Sequence, residues 1–150
     1  MLNERCVENV TNWAHKRDQK PGKGMQREVA MSLGMARGVH AVHSSFGVHG
    51  SIKGTNVLVR ADNTVCVSDF AFSEIKRYAL SNARGDGLIN YQAPEVFLDY
   101  TLKPTVQADV YSLGCVMWEL AQGERPWKDL RDMKVHKDPC GALLISNLCC

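Results

Sequence analysis

The chain has 150 residues, with 18 lysines and arginines against 16 aspartates and glutamates, and this length is enough for one domain with a single core. It has no basic run and no apolar stretch of the roughly 20 residues that cross a bilayer, so neither a nucleic-acid partner nor a membrane span is expected. The six cysteines show no Cys-x-x-Cys spacing and no apolar leader opens the chain, which favours a reduced, cytoplasmic protein.

Two helices are predicted in the first third of the chain. A mixed helical pattern runs from Val7 to Arg17, and residues of loop composition, Asp18 to Gly24, follow it. Apolar residues then recur at helical spacing, which predicts a second helix from about Met25 to Ser44. The packed stripe of this second helix would consist of Met25, Val29, Leu33 and Ala36.

A β-hairpin is predicted next. The runs NVLV and TVCV are rich in β-branched residues, and the turn-like residues Arg60 to Asn63 separate them. Asn56 and Asp69 would therefore stand at the two ends of one hairpin, where an amide oxygen and a carboxylate suit a hard cation such as Mg²⁺. Lys53, three residues before Asn56, would add a positive charge for a phosphate.

A third helix is predicted from Asp109 to Ala121. Its sequence, DVYSLGCVMWELA, is apolar nearly all the way round, which is typical of a buried helix. Gly123 is a plausible C-cap for it. A carboxylate at the position of Asp109 would also be stabilised by the helix dipole, a contribution of about 0.3–1 kcal/mol.

The segment from Val48 to Phe70 resembles the catalytic loop and metal-binding segment of eukaryotic protein kinases. In that family the pattern runs His-Arg-Asp, then Lys, then Asn, and reaches Asp-Phe-Gly after a short hairpin. The residues of this chain that match it are His49, Lys53, Asn56 and Asp69, followed further on by Ala93-Pro94-Glu95. The segments HGSIKGTNVLV and INYQAPEVF are similar to the sequences of the tyrosine-kinase-like branch, many of whose members phosphorylate serine or threonine.

The resemblance implies ATP and Mg²⁺ as cofactors. It implies that Lys53, Asn56 and Asp69 bind the nucleotide phosphates, with Asn56 and Asp69 as the metal ligands and Lys53 as a catalytic group. It also implies that Asp109 binds backbone amides of the catalytic loop. The partner implied is a protein, either as substrate or as regulatory target.

The chain also departs from the family pattern at the positions that carry the chemistry. Ser51 stands where the family has the aspartate that accepts the substrate hydroxyl proton, and a serine hydroxyl is not ionised at neutral pH. Gly50 replaces the arginine of His-Arg-Asp, and Ala71 replaces the glycine of Asp-Phe-Gly. Leu88 replaces a threonine that hydrogen-bonds the catalytic residues in the serine/threonine branch. Ser51 is therefore predicted to be non-functional as a base.

The resemblance covers about residues 7–127 of a single partial domain spanning 1–150. The expected fold is α+β and mainly α: a truncated large, C-terminal lobe with a short hairpin and a buried central helix. The small lobe that covers the adenine and the last helices of the large lobe are expected to be absent, so ATP binding by this chain is doubtful. A lobe cut at both ends should expose apolar faces and self-associate.

Three interpretations remain open at this point. The chain is expected to be a pseudokinase, a regulatory or scaffold module that retains the phosphate and metal groups and lacks the base. Alternatively, it is a fragment of an active serine/threonine kinase of the tyrosine-kinase-like branch. The third interpretation is a lobe core in which the matching residues are inherited and idle. In each case the chain alone is predicted to be inactive.

Overall fold

The computed structural model describes residues 6–16, 25–69, 88–98 and 102–127. Strands β1 to β3 span Cys6–Asn9, Val57–Arg60 and Val65–Val67, and helices α1 to α4 span Val10–Lys16, Met25–Phe46, Pro94–Leu98 and Val106–Gln122. Single 3₁₀ turns occur at Gly54–Asn56 and Leu88–Tyr91. The described part is therefore mainly helical with one small sheet, and none of its helices is long and apolar enough to cross a membrane.

The sheet has three antiparallel strands in the order β1-β2-β3. The predicted hairpin is confirmed: β2 pairs with β3 in the register Val57↔Val67, and the turn is closed by Asn63 N–H donating to the carbonyl of Arg60 at 2.9 Å. Asn63 itself adopts φ 65°, a left-handed conformation that asparagine tolerates better than most residues. The strand β1 adds to the free edge of β2 and was not predicted.

The first predicted helix is wrong in its opening residues. Cys6–Asn9 pair with β2 because its outer edge offers backbone hydrogen-bonding groups, a long-range partner that helical periodicity cannot reveal. The helix α1 then begins at Val10, since the side chain of Asn9 accepts a hydrogen bond from the backbone N–H of Asn12 at 2.9 Å. This is the bond of an N-cap residue to the third helical position.

The helix α2 forms as predicted, and Ala36 of its predicted packed stripe does pack against the core, but the stripe is wrong at Val29 and Leu33. Val29 and Leu33 are 61% and 51% exposed. The face that packs into the core consists of Met31, Met35, Val39 and Val42. Both sets recur at helical spacing, so periodicity alone could not choose between them.

Two glycines let the hairpin approach α2 closely. A Cβ added at Gly34 would lie 2.8 Å from Cγ2 of Val65, and one added at Gly38 would lie 2.9 Å from Cγ2 of Val67. Real Cβ atoms do not come that close to a neighbour, so the strand β3 rests directly on the glycine face of the helix. The position of the hairpin, and of the residues that follow it, depends on this contact.

The helix α4 is capped at both ends as its sequence suggests. The hydroxyl of Thr105 accepts from the N–H of Ala108 at 3.1 Å, and Gly123 adopts φ 73° while its N–H donates to the carbonyl of Glu119. The predicted C-cap is therefore confirmed. The prediction of a buried helix holds for one face, which includes Leu113, Val116 and Leu120, but not for the other, where Val110 and Trp118 are half-exposed.

The core joins α1, α2, β2 and α4. Its buried residues are Val10, Met31, Met35, Val39, Ile52, Val57, Val59, Tyr91, Leu113, Val116 and Leu120. Ile52 belongs to the loop between α2 and β2, so the segment that carries the candidate site is anchored in the core by one of its own side chains. The predicted hinge at Ala71 and the side chain of Leu88 lie outside the described residues.

We predict that the two stripes of α2 differ sharply in their contribution to stability. Met35→Ala removes a fully buried side chain and should lower the free energy of unfolding by about 2–5 kcal/mol. Leu33→Ala, the matched control on the exposed stripe, should change it by no more than about 0.5 kcal/mol. Urea unfolding followed by circular dichroism measures both, and equal losses would contradict the assignment of the packed face.

Candidate functional site

The candidate site is built on the loop that links α2 to β2. Gly47 and Gly50 adopt φ 81° and 70°, left-handed conformations that glycine takes without strain and that turn the chain out of the helix. The loop is not a surface loop in the usual sense, because His49, Ser51 and Lys53 are all buried. Such a loop needs internal partners for its backbone and side-chain polar groups.

The carboxylate of Asp109, in the first turn of α4, provides the main anchor of this loop. It accepts hydrogen bonds from the backbone N–H groups of His49 at 2.7 Å and Gly50 at 2.8 Å. It also accepts one from Nε2 of His43 on α2 at 2.8 Å, since a carboxylate can only accept. The prediction that Asp109 binds backbone amides of the loop is confirmed. His43 is an additional member that no sequence motif assigned.

The imidazole of His49 connects the loop to the end of the hairpin. Its Nδ1 accepts the N–H of Ser51 at 3.2 Å, so Nε2 carries the proton and donates to the carbonyl of Ser68 at 3.0 Å. Burial lowers the pKa of His49, although the nearby charges of Asp109 and Asp69 oppose that shift. His49 is therefore a neutral structural residue at neutral pH.

Ser51 and Asn56 are bound to each other inside the loop. The amide nitrogen of Asn56 donates to the carbonyl of Ser51 at 2.8 Å and to its hydroxyl at 3.2 Å. A carbonyl cannot donate, so the nitrogen end of the amide must face Ser51. The amide oxygen of Asn56 is then the atom with which this side chain could bind a cation.

The two ends of the hairpin meet beside this pair, as the sequence predicts for Asn56 and Asp69. The N–H and the hydroxyl of Ser68 both donate to the carbonyl of Asn56, at 2.9 and 3.0 Å. Asp69 follows directly, exposed and with φ 68°. Its carboxylate lies close enough to His49 to raise the pKa of that imidazole against the effect of burial.

Lys53 occupies the middle of the loop between Ser51 and Asn56, and only 9% of it is exposed. Its carbonyl accepts the N–H of Asn56 at 2.9 Å, which closes the 3₁₀ turn at Gly54–Asn56. The structure thus brings Ser51, Lys53 and Asn56 together in one turn. Asp69 lies at the adjoining end of the hairpin.

Sequence reasoning missed a buried acid on the other side of the loop. Glu119 of α4 is fully buried, and its Oε2 accepts the hydroxyl of Tyr91 at 2.7 Å. Burial raises the pKa of Tyr91, so the phenol stays protonated and donates. Glu119 also lies beside Gly54, where an added Cβ would collide with its carboxylate and with the hydroxyl of Thr11.

The signal for Glu119 was present in the sequence, because it is one of only two carboxylates in the apolar run DVYSLGCVMWELA. An acid within such a run is expected to have a partner when buried. Its partners come from α1 and from the 3₁₀ turn at Leu88–Tyr91: Nε2 of His15 lies 3.3 Å from its Oε1, and Tyr91 binds its Oε2. No local pattern links those segments.

The donor set of the site suits a hard cation that keeps part of its own coordination shell. Asp69 and Asn56 offer a carboxylate and an amide oxygen, the ligand types preferred by Mg²⁺. Within residues 6–16, 25–69, 88–98 and 102–127, no group of three or more histidine, cysteine or acidic side chains could hold a metal. A cation at Asp69 and Asn56 would therefore need water or phosphate oxygens as further ligands.

Comparisons of the sequence with known proteins show the family of the chain. A family model described as "Protein tyrosine and serine/threonine kinase" matches residues 8–139. The chain is 34% identical over 125 residues to serine/threonine-protein kinase CTR1 of Arabidopsis thaliana, covering 81% of the chain and 15% of that protein. It is 33% identical over 102 residues to mitogen-activated protein kinase kinase kinase 12 of Rattus norvegicus. This match covers 68% of the chain and 11% of that protein.

A third relative gives the same result. The chain is 34% identical over 102 residues to mitogen-activated protein kinase kinase kinase 13-B of Xenopus laevis. This match covers 68% of the chain and 10% of that protein. The chain therefore spans no more than 15% of the length of these three relatives.

We predict that the carboxylate of Asp109 stabilises the fold by far more than a helix-terminal charge does. Asp109→Ala leaves the buried N–H of His49, the partly buried N–H of Gly50 and the His43 imidazole without their acceptor, and should cost about 3–5 kcal/mol of unfolding free energy. Thr105→Ala, the control at the same helix terminus, removes a cap and should cost about 0.5–2 kcal/mol. If urea unfolding gave a loss below about 1 kcal/mol for Asp109→Ala, only the dipole role would remain.

Proposed function

Since the chain belongs to the protein tyrosine and serine/threonine kinase family, we propose that it forms part of the large lobe of a pseudokinase. In this proposal residues 1–150 are a single partial kinase domain that contacts protein partners as a regulatory or scaffold module. The proposed location is a reducing cytoplasm, which agrees with the free thiols of Cys6, Cys66 and Cys115.

The observation that carries the proposal is that position 51 holds a serine, whose buried hydroxyl is not ionised. In the family, phosphoryl transfer to a hydroxyl uses an aspartate at this position to accept the proton. Ser51 offers a hydroxyl that is not ionised at neutral pH, is buried, and accepts a hydrogen bond from Asn56. Loss of a positioned general base typically lowers a rate by about 10²- to 10⁴-fold. The loop around Ser51 nevertheless has internal hydrogen bonds to the carboxylate of Asp109 and to Nδ1 of His49.

We further propose that the site retains some capacity for Mg²⁺ and nucleotide phosphate. Asp69 and Asn56 would hold the cation through oxygen atoms, and Lys53 would bind a phosphate. When bound, the cation would neutralise phosphate charge. The near-complete burial of Lys53 restricts which phosphate positions its ammonium can reach, which supports weak binding by this chain alone.

A second candidate is a fragment of an active serine/threonine kinase. It is favoured by the retention of Lys53, Asn56 and Asp69 and by the three relatives, all of which carry kinase names. Because positioning and electrostatics supply most of phosphoryl-transfer catalysis, a kinase without the base could keep slow activity. An activity measurement on a protein with both lobes separates the two candidates.

We expect no phosphate transfer from radiolabelled ATP to a generic protein substrate by the chain itself. We expect the rate of phosphate transfer to rise when a carboxylate is restored at position 51 of a protein with both lobes. The informative protein is a hybrid in which the small lobe of the Arabidopsis CTR1 kinase precedes this chain. In that hybrid, Ser51→Asp should raise the transfer rate by about 10²- to 10⁴-fold, because a carboxylate would stand where the amide nitrogen of Asn56 can orient it.

The control is the same hybrid with Asp69→Asn in addition to Ser51→Asp, which should abolish the gain. Transfer by the unmodified hybrid that is lost with Asp69→Asn alone would favour the active-fragment candidate and overturn the pseudokinase proposal. No gain from Ser51→Asp in a folded hybrid that binds ATP would mean that the site has other defects besides the base.

Self-association is the last part of the proposal, and the apolar outer face of α4 supports it. Val106, Val110 and Trp118 are apolar residues of that helix and are 41%, 57% and 47% exposed. We expect the molar mass from light scattering to rise with protein concentration, and the double substitution Val110→Ser with Trp118→Ser to reduce that rise. A monomer mass at all concentrations would refute self-association.

A further inference from the structure

Two thiols on the sheet lie side by side although 60 residues separate them in sequence. Cys6 is the first residue of β1 and Cys66 is the middle residue of β3. Their Sγ atoms are 3.5 Å apart, in van der Waals contact. The two strands do not pair with each other, because β2 lies between them, so the side chains meet across β2.

Strand alternation places both thiols on the outer face of the sheet. Val57 and Val59 are buried in the core, so Leu58 and Arg60 point to the opposite face. Cys66 pairs with Leu58 and Cys6 pairs with Arg60, which puts both cysteines on that same outer face. Both are only half-buried, so a small oxidant in solution can reach them.

We propose that Cys6 and Cys66 form a redox modification site, in which an intramolecular disulfide closes reversibly across β2. A disulfide bond is about 2.05 Å long and joins residues whose Cα atoms lie within about 7 Å of each other. Because β2 separates β1 from β3, the two outer strands lie roughly 9–10 Å apart, so closing the bond requires the backbone at Cys6 to move toward Cys66 by a few Å. The end of β1 can supply this movement, since Cys6 is its first residue and the register with β2 shifts between Cys6 and Glu8. Among the described residues, no cysteine lies beside Cys115 of α4, whose thiol interacts with Tyr111 instead.

The oxidant class that fits is a hydroperoxide such as hydrogen peroxide. One thiolate attacks a peroxide oxygen, the O–O bond breaks, and a sulfenic acid and hydroxide form. The second thiol then attacks the sulfenic sulfur, the S–O bond breaks, and water leaves. In total two thiols and one peroxide give one disulfide and two waters. A thiol reductant reverses the reaction through thiol–disulfide exchange.

Two features of the pair agree with a site that stays reduced until an oxidant appears. Burial, followed by the neighbouring Cys6, raises the pKa of Cys66, so its thiol form predominates at neutral pH and the thiolate that would attack a peroxide is a minor species. The bond would also link β1 to β3, whose chain continues directly into Ser68 and Asp69. Oxidation would therefore link β3, which leads into Asp69, to β1, whether or not the chain binds nucleotide.

Peptide mapping tests the proposal on the full chain. After treatment with hydrogen peroxide, free thiols are blocked with N-ethylmaleimide and the protein is digested with trypsin. Cleavage after Arg5, Lys16, Arg60 and Lys76 releases peptides 6–16 and 61–76, each with a single cysteine. We expect these two peptides to appear as one cross-linked species that dithiothreitol separates, at a peroxide dose that leaves Cys115 alkylated.

Variants and a thermal readout make the result decisive. Cys66→Ser and Cys6→Ser should each abolish the cross-link, and Cys115→Ser should leave it intact. Oxidation should raise the melting temperature of the unmodified chain by roughly 5 °C or more, and neither Cys66→Ser nor reduced protein should show that rise. Separate oxidation of Cys6 and Cys66 to sulfinic acids, or a cross-link from either one to peptide 138–150 instead, would overturn the proposal.

Discussion

The hydrogen bonds of the buried Asp109 carboxylate are the interactions on which the described structure depends most. This carboxylate stands at the start of α4 and binds His43 of α2 together with two backbone amides of the intervening loop. A carboxylate taken out of water needs such partners, and each partner lies on a segment that must therefore be in place. One side chain thus fixes the relative positions of two helices and of the loop that carries the candidate site.

The loop is also held from its other sides. His49 connects it to the end of the hairpin through Ser68, Ile52 anchors it in the core, and Gly54 allows the close approach of Glu119. None of these contacts needs an acid at position 51. In the proposed pseudokinase, the loop would therefore keep its shape without a base, because the forces that shape the loop are separate from the group that would accept a proton. This separation is the physical basis for proposing a pseudokinase.

Patterns of residue types over short stretches of the sequence predicted several structural features correctly. The hairpin followed from β-branched runs around turn-forming residues, and the Gly123 cap followed from the helix pattern, because both depend on residues close together in the chain. Prediction failed where the local sequence was compatible with two different structures. In α2 two apolar stripes compete, and the glycines that receive the hairpin select the one that includes Met35. At the N-terminus, pairing with β2 overrides helical propensity in Cys6–Asn9.

The sequence by itself determined the family and predicted which residues form the candidate site, because side-chain types at a fixed spacing are a local property of the chain. It also showed that Ser51 lacks the charge of a base. Only the tertiary structure decided how those residues are held: the partners of Asp109, the orientation of the Asn56 amide, the burial of Glu119 and the meeting of Cys6 with Cys66. Each of these joins segments far apart in the chain, and such contacts are set by how helices and strands pack, which no local pattern encodes.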